Sequence, residues 1–118
     1  MALLQIRVGD QWRGIDTALV TEILDDSKPT PLPRTPDHVL GVLVFRGSAM
    51  PVVCMRQSLG VPSTPSSPLV FSRVVVVETD GMRIGWACDQ VLDLGVPTPE
   101  ESVPLDIHEL IERVRVRG

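Results

Sequence analysis

From Leu4 to Val8 apolar and polar residues alternate, with Leu4, Ile6 and Val8 on one face and Gln5 and Arg7 on the other. A period of two predicts a half-buried strand. Gly9-Asp10 supplies a turn, and Gln11 to Ile15 returns as a second strand. Asp16 suits a helix N-cap, and Leu19, Val20, Ile23 and Leu24 follow at helical spacing. These residues predict a short helix ending near Asp25-Asp26. Lys28 to Pro36 then carries Pro29, Pro31, Pro33 and Pro36. Proline fixes φ and has no N–H to donate, so this stretch is an extended connector or a sheet edge, and no central strand. Gly41 to Phe45 is a continuous apolar strand, Arg46-Gly47-Ser48 a turn, and Ala49 to Met55 another strand. A half-turn of helix over Arg56 to Leu59 stops at Gly60.

Val61 to Pro68, rich in Pro and Ser, has the composition of a linker. After it, four consecutive valines within Arg73 to Glu78 predict a strand covered on both faces. Asp80-Gly81 is a strong hairpin signal, because a type I′ turn needs positive φ at both central positions. Met82, Ile84, Trp86 and Cys88 then alternate inward against Arg83, Gly85 and Ala87. Val91 to Val96 reads as a further strand, stopped by Pro97 and Pro99. Leu105 to Val114 closes the chain as an amphipathic helix with a stripe of Ile107, Leu110, Ile111 and Val114. Asp106 followed by Glu109 resembles a capping box. Arg113, Arg115 and Arg117 suit either the negative end of the helix dipole or a solvated face. Many short strands with turns every eight to twelve residues and a few small helices predict a β-barrel architecture divided by the Pro/Ser stretch.

Composition narrows the function. The net charge is −4 and the pI about 5.0, without the clustered cations that displace counterions from phosphates. With no Tyr, two Phe and two Trp there is no stacking platform for bases. Nucleic acid is therefore not an expected partner. No apolar run approaches the roughly 20 residues that span a bilayer, so membrane insertion is not expected and a cytoplasmic location is. Cys54 and Cys88 each lie in an apolar run and lack metal-ligand spacing, which predicts two buried thiols and no disulfide. His38 and His108 lie in unrelated settings, outside any ligand or catalytic motif, and the scattered glycines form no phosphate-cradling loop. No nucleophile–base set can be drawn, so no enzyme activity, cofactor or metal is expected.

The order of segments resembles one family. RVGDQWRGIDTALVTEIL is similar to the opening of CheW chemotaxis proteins, in which a strand, a Gly-Asp turn and a second strand lead into a helix carrying Val and Glu. TPLPRTPDHVLGVLVFRGSAMPVV resembles that family's most specific stretch, P-x-x-P, then G-V-x-N-L-R-G, then P-V-V-D-L-R. RVVVVETDGMRIGWACDQVLDL resembles its second lobe, where a hairpin precedes G-x-x-V-D-x-V. The resemblance covers about residues 4 to 96.

It implies an all-β CheW-like fold with small helices: two interlocked SH3-like β-barrel subdomains plus a C-terminal helix. Subdomain 1 would span about 1–60 with helix 105–114, the linker 61–68, and subdomain 2 about 69–97. It also implies a non-enzymatic adaptor of a chemosensory array. The partners would be the cytoplasmic domain of a methyl-accepting chemoreceptor, a CheA-type histidine kinase and other CheW-like proteins. By motif position the receptor groove would include Val20 and Glu22 on the first helix, Gly41 before its strand and Arg46 in the turn. Val74 and Gly85 in the second lobe, and Val91 and Leu94 after it, would complete the groove. Val20, Val74, Val91 and Leu94 read equally well as core, and Gly41 and Gly85 as points of close backbone approach. Arg46 is more informative, because a turn between two apolar strands needs no cation.

Three departures from the pattern stand out. Val44 occupies the Asn position of N-L-R-G, and Cys54 the Asp position of P-V-V-D. The chain also passes almost directly from Pro97 to Leu105-Asp106-Ile107, where the family carries about twenty more residues that finish its second barrel. A shortened second lobe implies weak or absent kinase pairing and a modulating role. The alternatives are a standard coupler of receptor and kinase, or a generic SH3-like peptide-binding module.

Overall fold

The computed structural model describes residues 2–25, 28–36, 38–61, 73–92 and 97–117, with side chains described as far as Glu112. The alternation at the N-terminus folds as a hairpin: β1 (Leu3–Val8) pairs antiparallel with β2 (Gln11–Asp16) around a Gly9 at φ 61°. The predicted helix after Asp16 is one 3-10 turn, Thr17–Leu19, capped by the Asp16 carboxylate on the Ala18 N–H at 3.0 Å. The chain then extends into β3 (Val20–Asp25). A register shift between Val20 and Glu22 explains the helical spacing. One extra residue in the strand sends both Val20 and Ile23 to the main core, three positions apart instead of two.

Thr30 in the proline stretch exchanges backbone hydrogen bonds with Val42, at 2.8 and 2.9 Å, against the edge of β4 (Val39–Phe45). β4 turns into β5 (Ser48–Cys54), which runs into the short α1 (Met55–Leu59), ended by a left-handed Gly60. The predicted linker lies outside the described residues except for Val61, which packs on the core. β6 (Arg73–Thr79) and β7 (Met82–Cys88) form the hairpin expected of Asp80-Gly81, with φ of 54° and 74° at the two turn residues. Of the expected Val91–Val96 strand, the structure shows β8 (Gln90–Val91); the remainder falls largely on residues 93–96, outside those described. β9 (Val103–Pro104) and α2 (Ile107–Arg117) follow.

Two sheets result, β8-β1-β2-β9 and β3-β6-β7-β5-β4. The chain does not change sheets at the Pro/Ser stretch, since β3, β4 and β5 before it and β6 and β7 after it share one sheet. The changes fall at Thr17–Leu19 and at Asp89. The four-valine run is buried on both faces, as predicted. Val75 and Val77 join Leu4, Ile6, Ile15, Ile84, Trp86 and the α2 residues Ile107, Leu110 and Ile111 in the main core between the sheets. Val74 and Val76 face the other way, into two smaller clusters lined also by Val52, Ala87, Met50 and Phe45. Leu24 of edge strand β3 and Leu43 of edge strand β4 pack on those same clusters, so the five-stranded sheet curls over its own inner face. Arg83, Gly85 and Ala87 therefore do not all face solvent: Gly85 and Ala87 are buried in the concave side. α2 is seated by its apolar stripe and by His108, whose Nδ1 lies 2.7 Å from Asp80 at the hairpin turn. No helix among the described residues is long and apolar enough to cross a membrane.

Candidate functional site

Where β3 enters the five-stranded sheet and β8 joins the four-stranded one, a cleft of about 400 Å³ opens, lined by Leu4, Thr17, Val20, Ile23, Arg73, Val91 and Leu92. The bulge in β3 aims Val20 and Ile23 into it, and the pairing of Val91 with Ile6 of β1 brings the opposite wall within reach. Its surface is mainly apolar. Arg73 at the rim is held by Asp25 at 2.6 Å.

On the other face of β3, Glu22 points to the end of the curled sheet, where its carboxylate lies 3.7 Å from Arg46. Arg46 and Gly47 form the β4–β5 turn with φ of 50° and 81°, a two-residue primed turn that projects the Arg46 side chain outward. Arg46 and Arg83 both lie over the Phe45 ring, and Arg83 is also bonded to Glu78.

The eight sequence-predicted residues thus fall into separate places. Val20 meets Val91 across the cleft, Glu22 meets Arg46 at the sheet end, and Val74 meets Gly85 inside the curl. A Cβ on Gly85 would come within 2.8 Å of Val74 Cγ1. Gly41 stands apart: at φ 145° a Cβ there would lie 2.1 Å from the Thr30 carbonyl oxygen, so it is required by the backbone that crosses it. Leu94 lies outside the described residues. Val20 and Glu22 sit on a strand and not on the helix expected for them.

A further pair escaped the sequence reading. Arg56 makes two hydrogen bonds to Asp89, at 3.0 and 2.9 Å, with both side chains almost fully buried. Asp89 Oδ2 also accepts the Gly9 N–H at 2.7 Å, and Arg7 donates to the Gly9 carbonyl at 2.7 Å. This network ties the β1–β2 turn to α1 and to the corner that leads to Val91. Both residues stand in the motif segments PVVCMR and GWACDQV, but 33 positions apart, and nothing in their spacing marks them as partners. Cys54 and Cys88 are free and buried, as expected. Burial pushes both thiols up, Cys88 to about 12. Among the described residues no group of three or more His, Cys, Asp or Glu is placed to hold a metal ion.

Residues 2–113 match the CheW-like domain family, nearly the whole chain. The chain belongs to the CheW family. It is 32% identical over 117 residues to the chemotaxis protein CheW of Rhizobium meliloti, an alignment covering 98% of this chain and 74% of that one. It is 35% identical over 88 residues to the protein FrzA of Myxococcus xanthus, covering 75% and 54%. The crystal structure of the scaffolding protein TtCheW from Thermoanaerobacter tengcongensis superposes with a TM-score of 0.70 at 26% identity, covering 83% of this chain and 65% of that one. The mostly-β, two-sheet architecture is therefore that of a CheW protein. Within that frame, Arg46 and Arg56 are the arginines of the N-L-R-G and P-V-V-D-L-R motifs as this chain writes them.

Proposed function

We propose that the chain is a non-enzymatic CheW-type adaptor of a bacterial chemosensory array, working in the cytoplasm. It receives the helical cytoplasmic tip of a methyl-accepting chemoreceptor in the cleft between its sheets. The observation that carries this reading is the cleft itself: an apolar trough whose walls, Val20 with Ile23 and Val91 with Leu92, come from different sheets. A helix laid in such a trough inserts its apolar stripe and leaves its polar flank to the rim. Arg46 and Glu22 lie on the adjoining end of β3 and offer that flank a charged contact.

Pairing with a CheA-type histidine kinase is weak or absent. Each outer strand of the β1–β2 sheet, β8 and β9, is two residues long. A barrel-to-barrel interface needs more of a lobe than this. The protein then competes with longer couplers for receptor tips and sets signal gain or array size. The incompletely covered β1–β2 edge is also a candidate contact for other CheW-like proteins. A standard coupler is the second reading, favoured by the alignment along almost the whole chain to a chemotaxis CheW. Titration against a receptor cytoplasmic fragment and against the kinase regulatory domain separates the two. Receptor binding without comparable kinase binding is expected. Kinase affinity equal to that of a longer coupler would leave the standard reading.

A further inference from the structure

One aromatic ring at the end of the five-stranded sheet carries two guanidinium groups. The Phe45 ring centroid lies 5.0 Å from Arg46 Cζ and 5.1 Å from Arg83 Cζ, both within cation–π range. The ring is fixed from beneath, because Phe45 is buried with Met50 and Val76. Arg83 is held in place twice more, by Glu78 and by the Phe45 carbonyl at 3.5 Å. Arg46 differs. Its ion pair to Glu22 is long at 3.7 Å, and its side chain is 58% exposed. It also occupies a left-handed turn position, φ 50°, that Gly or Asn fills with less strain. Strain kept at a long cationic residue points to use of that cation.

We propose that Phe45, steadied by Arg83, is a platform that presets Arg46 to take a carboxylate from an acidic side chain on the docking receptor helix. Phe45 and Arg83 are thereby positioning residues of the receptor site, and the proposal rests on the receptor-docking reading above. A flexible arginine loses rotamer freedom when it binds; one already laid on a ring loses less. The guanidinium fork matches a carboxylate bidentately, and a cation held 5.0 Å from the ring centroid at 58% side-chain exposure remains accessible to a partner. The chain as a whole carries a net charge of −4, so an acidic partner is steered by where the local cations stand. The related motif has Leu at the Phe45 position, which makes the platform a feature of this chain.

Affinity for a purified chemoreceptor cytoplasmic fragment is measured for the parent chain, Phe45→Leu, Arg46→Ala and the double variant, with Arg83→Gln alongside. The Arg46 methylene proton resonances are followed by NMR. Phe45→Leu keeps an apolar residue in the cluster but removes the π face. It is expected to weaken binding about two- to five-fold, and to do nothing further once Arg46 is alanine. Arg83→Gln should show the same dependence on Arg46. Upfield ring-current shifts at Arg46 should vanish in Phe45→Leu. Equal losses in both Arg46 backgrounds, or Arg46 resonances without ring-current shifts in the parent, would overturn the platform. Undiminished binding by Arg46→Ala would overturn it while leaving the cleft standing. Failure of the parent chain to bind at all would instead overturn the receptor reading, and this use of Arg46 with it.

Discussion

Asp89 is bound by a guanidinium and a backbone N–H in a site nearly closed to water. Removing one member of a buried, hydrogen-bonded ion pair leaves the other charge uncompensated, which costs about 3–5 kcal/mol. Asp89→Ala is therefore expected to lower the denaturant midpoint by that equivalent, and to disturb the corner that carries Val91. Cys88 gives a second expectation at this scale. Its thiol is pushed by burial from an ordinary value of 9.0 to about 12. The unfolded chain gives up this proton first as pH rises. The stabilising contribution is thus complete below pH 9.0 and drains away towards pH 12, by about 1.4 kcal/mol per pH unit. Alkaline unfolding curves should show this slope, and Cys88→Ala should flatten it. Neither cysteine should react with a thiol reagent until denaturant is added. The residue types were legible in the sequence here and the partnerships were not. The apolar runs around Cys54 and Cys88 announced burial. Arg56 and Asp89 stand in separate segments, and only the fold brings α1 beside the β7–β8 corner.

At the scale of elements, β3 is the instructive failure. Leu19, Val20, Ile23 and Leu24 have the spacing of a helix face, yet the strand uses both faces and a bulge shifts one of them. Val20 and Ile23 reach the main core while Leu24 serves the inner clusters, so no period of two survives to be read. The hairpins were legible because turn chemistry is local: Asp80-Gly81 and Arg46-Gly47 adopt positive φ, as such turns require. α2 was legible through its stripe and its cap, where the Asp106 carboxylate accepts the Glu109 N–H at 3.2 Å. Leu110 is 3% exposed in the main core, and Leu110→Ala should cost about 2–5 kcal/mol, read as a lowered unfolding midpoint. Val20→Asp, on a half-buried position at the cleft wall, should reduce receptor-fragment affinity at least tenfold with circular dichroism unchanged, as expected of an interface anchor.

For the whole molecule, the Pro/Ser stretch was the natural place to divide the sequence, yet the five-stranded sheet is built from both sides of it. Linker composition reports a tolerated break in local structure and carries no information about long-range strand pairing. The consequence for function is that the cleft exists only when β3, β1 and β8 are assembled together, between one complete sheet and one with short outer strands. Docking of a receptor helix in that cleft is the central claim. Its most direct test is an amide chemical-shift map of the isotope-labelled protein titrated with an unlabelled chemoreceptor cytoplasmic fragment. The largest, saturable shifts are expected at Val20, Ile23, Val91 and Leu92, with Arg46 moving in step. Shifts concentrated on α2 or on the β9 edge, with those four amides unmoved at saturation, would contradict it.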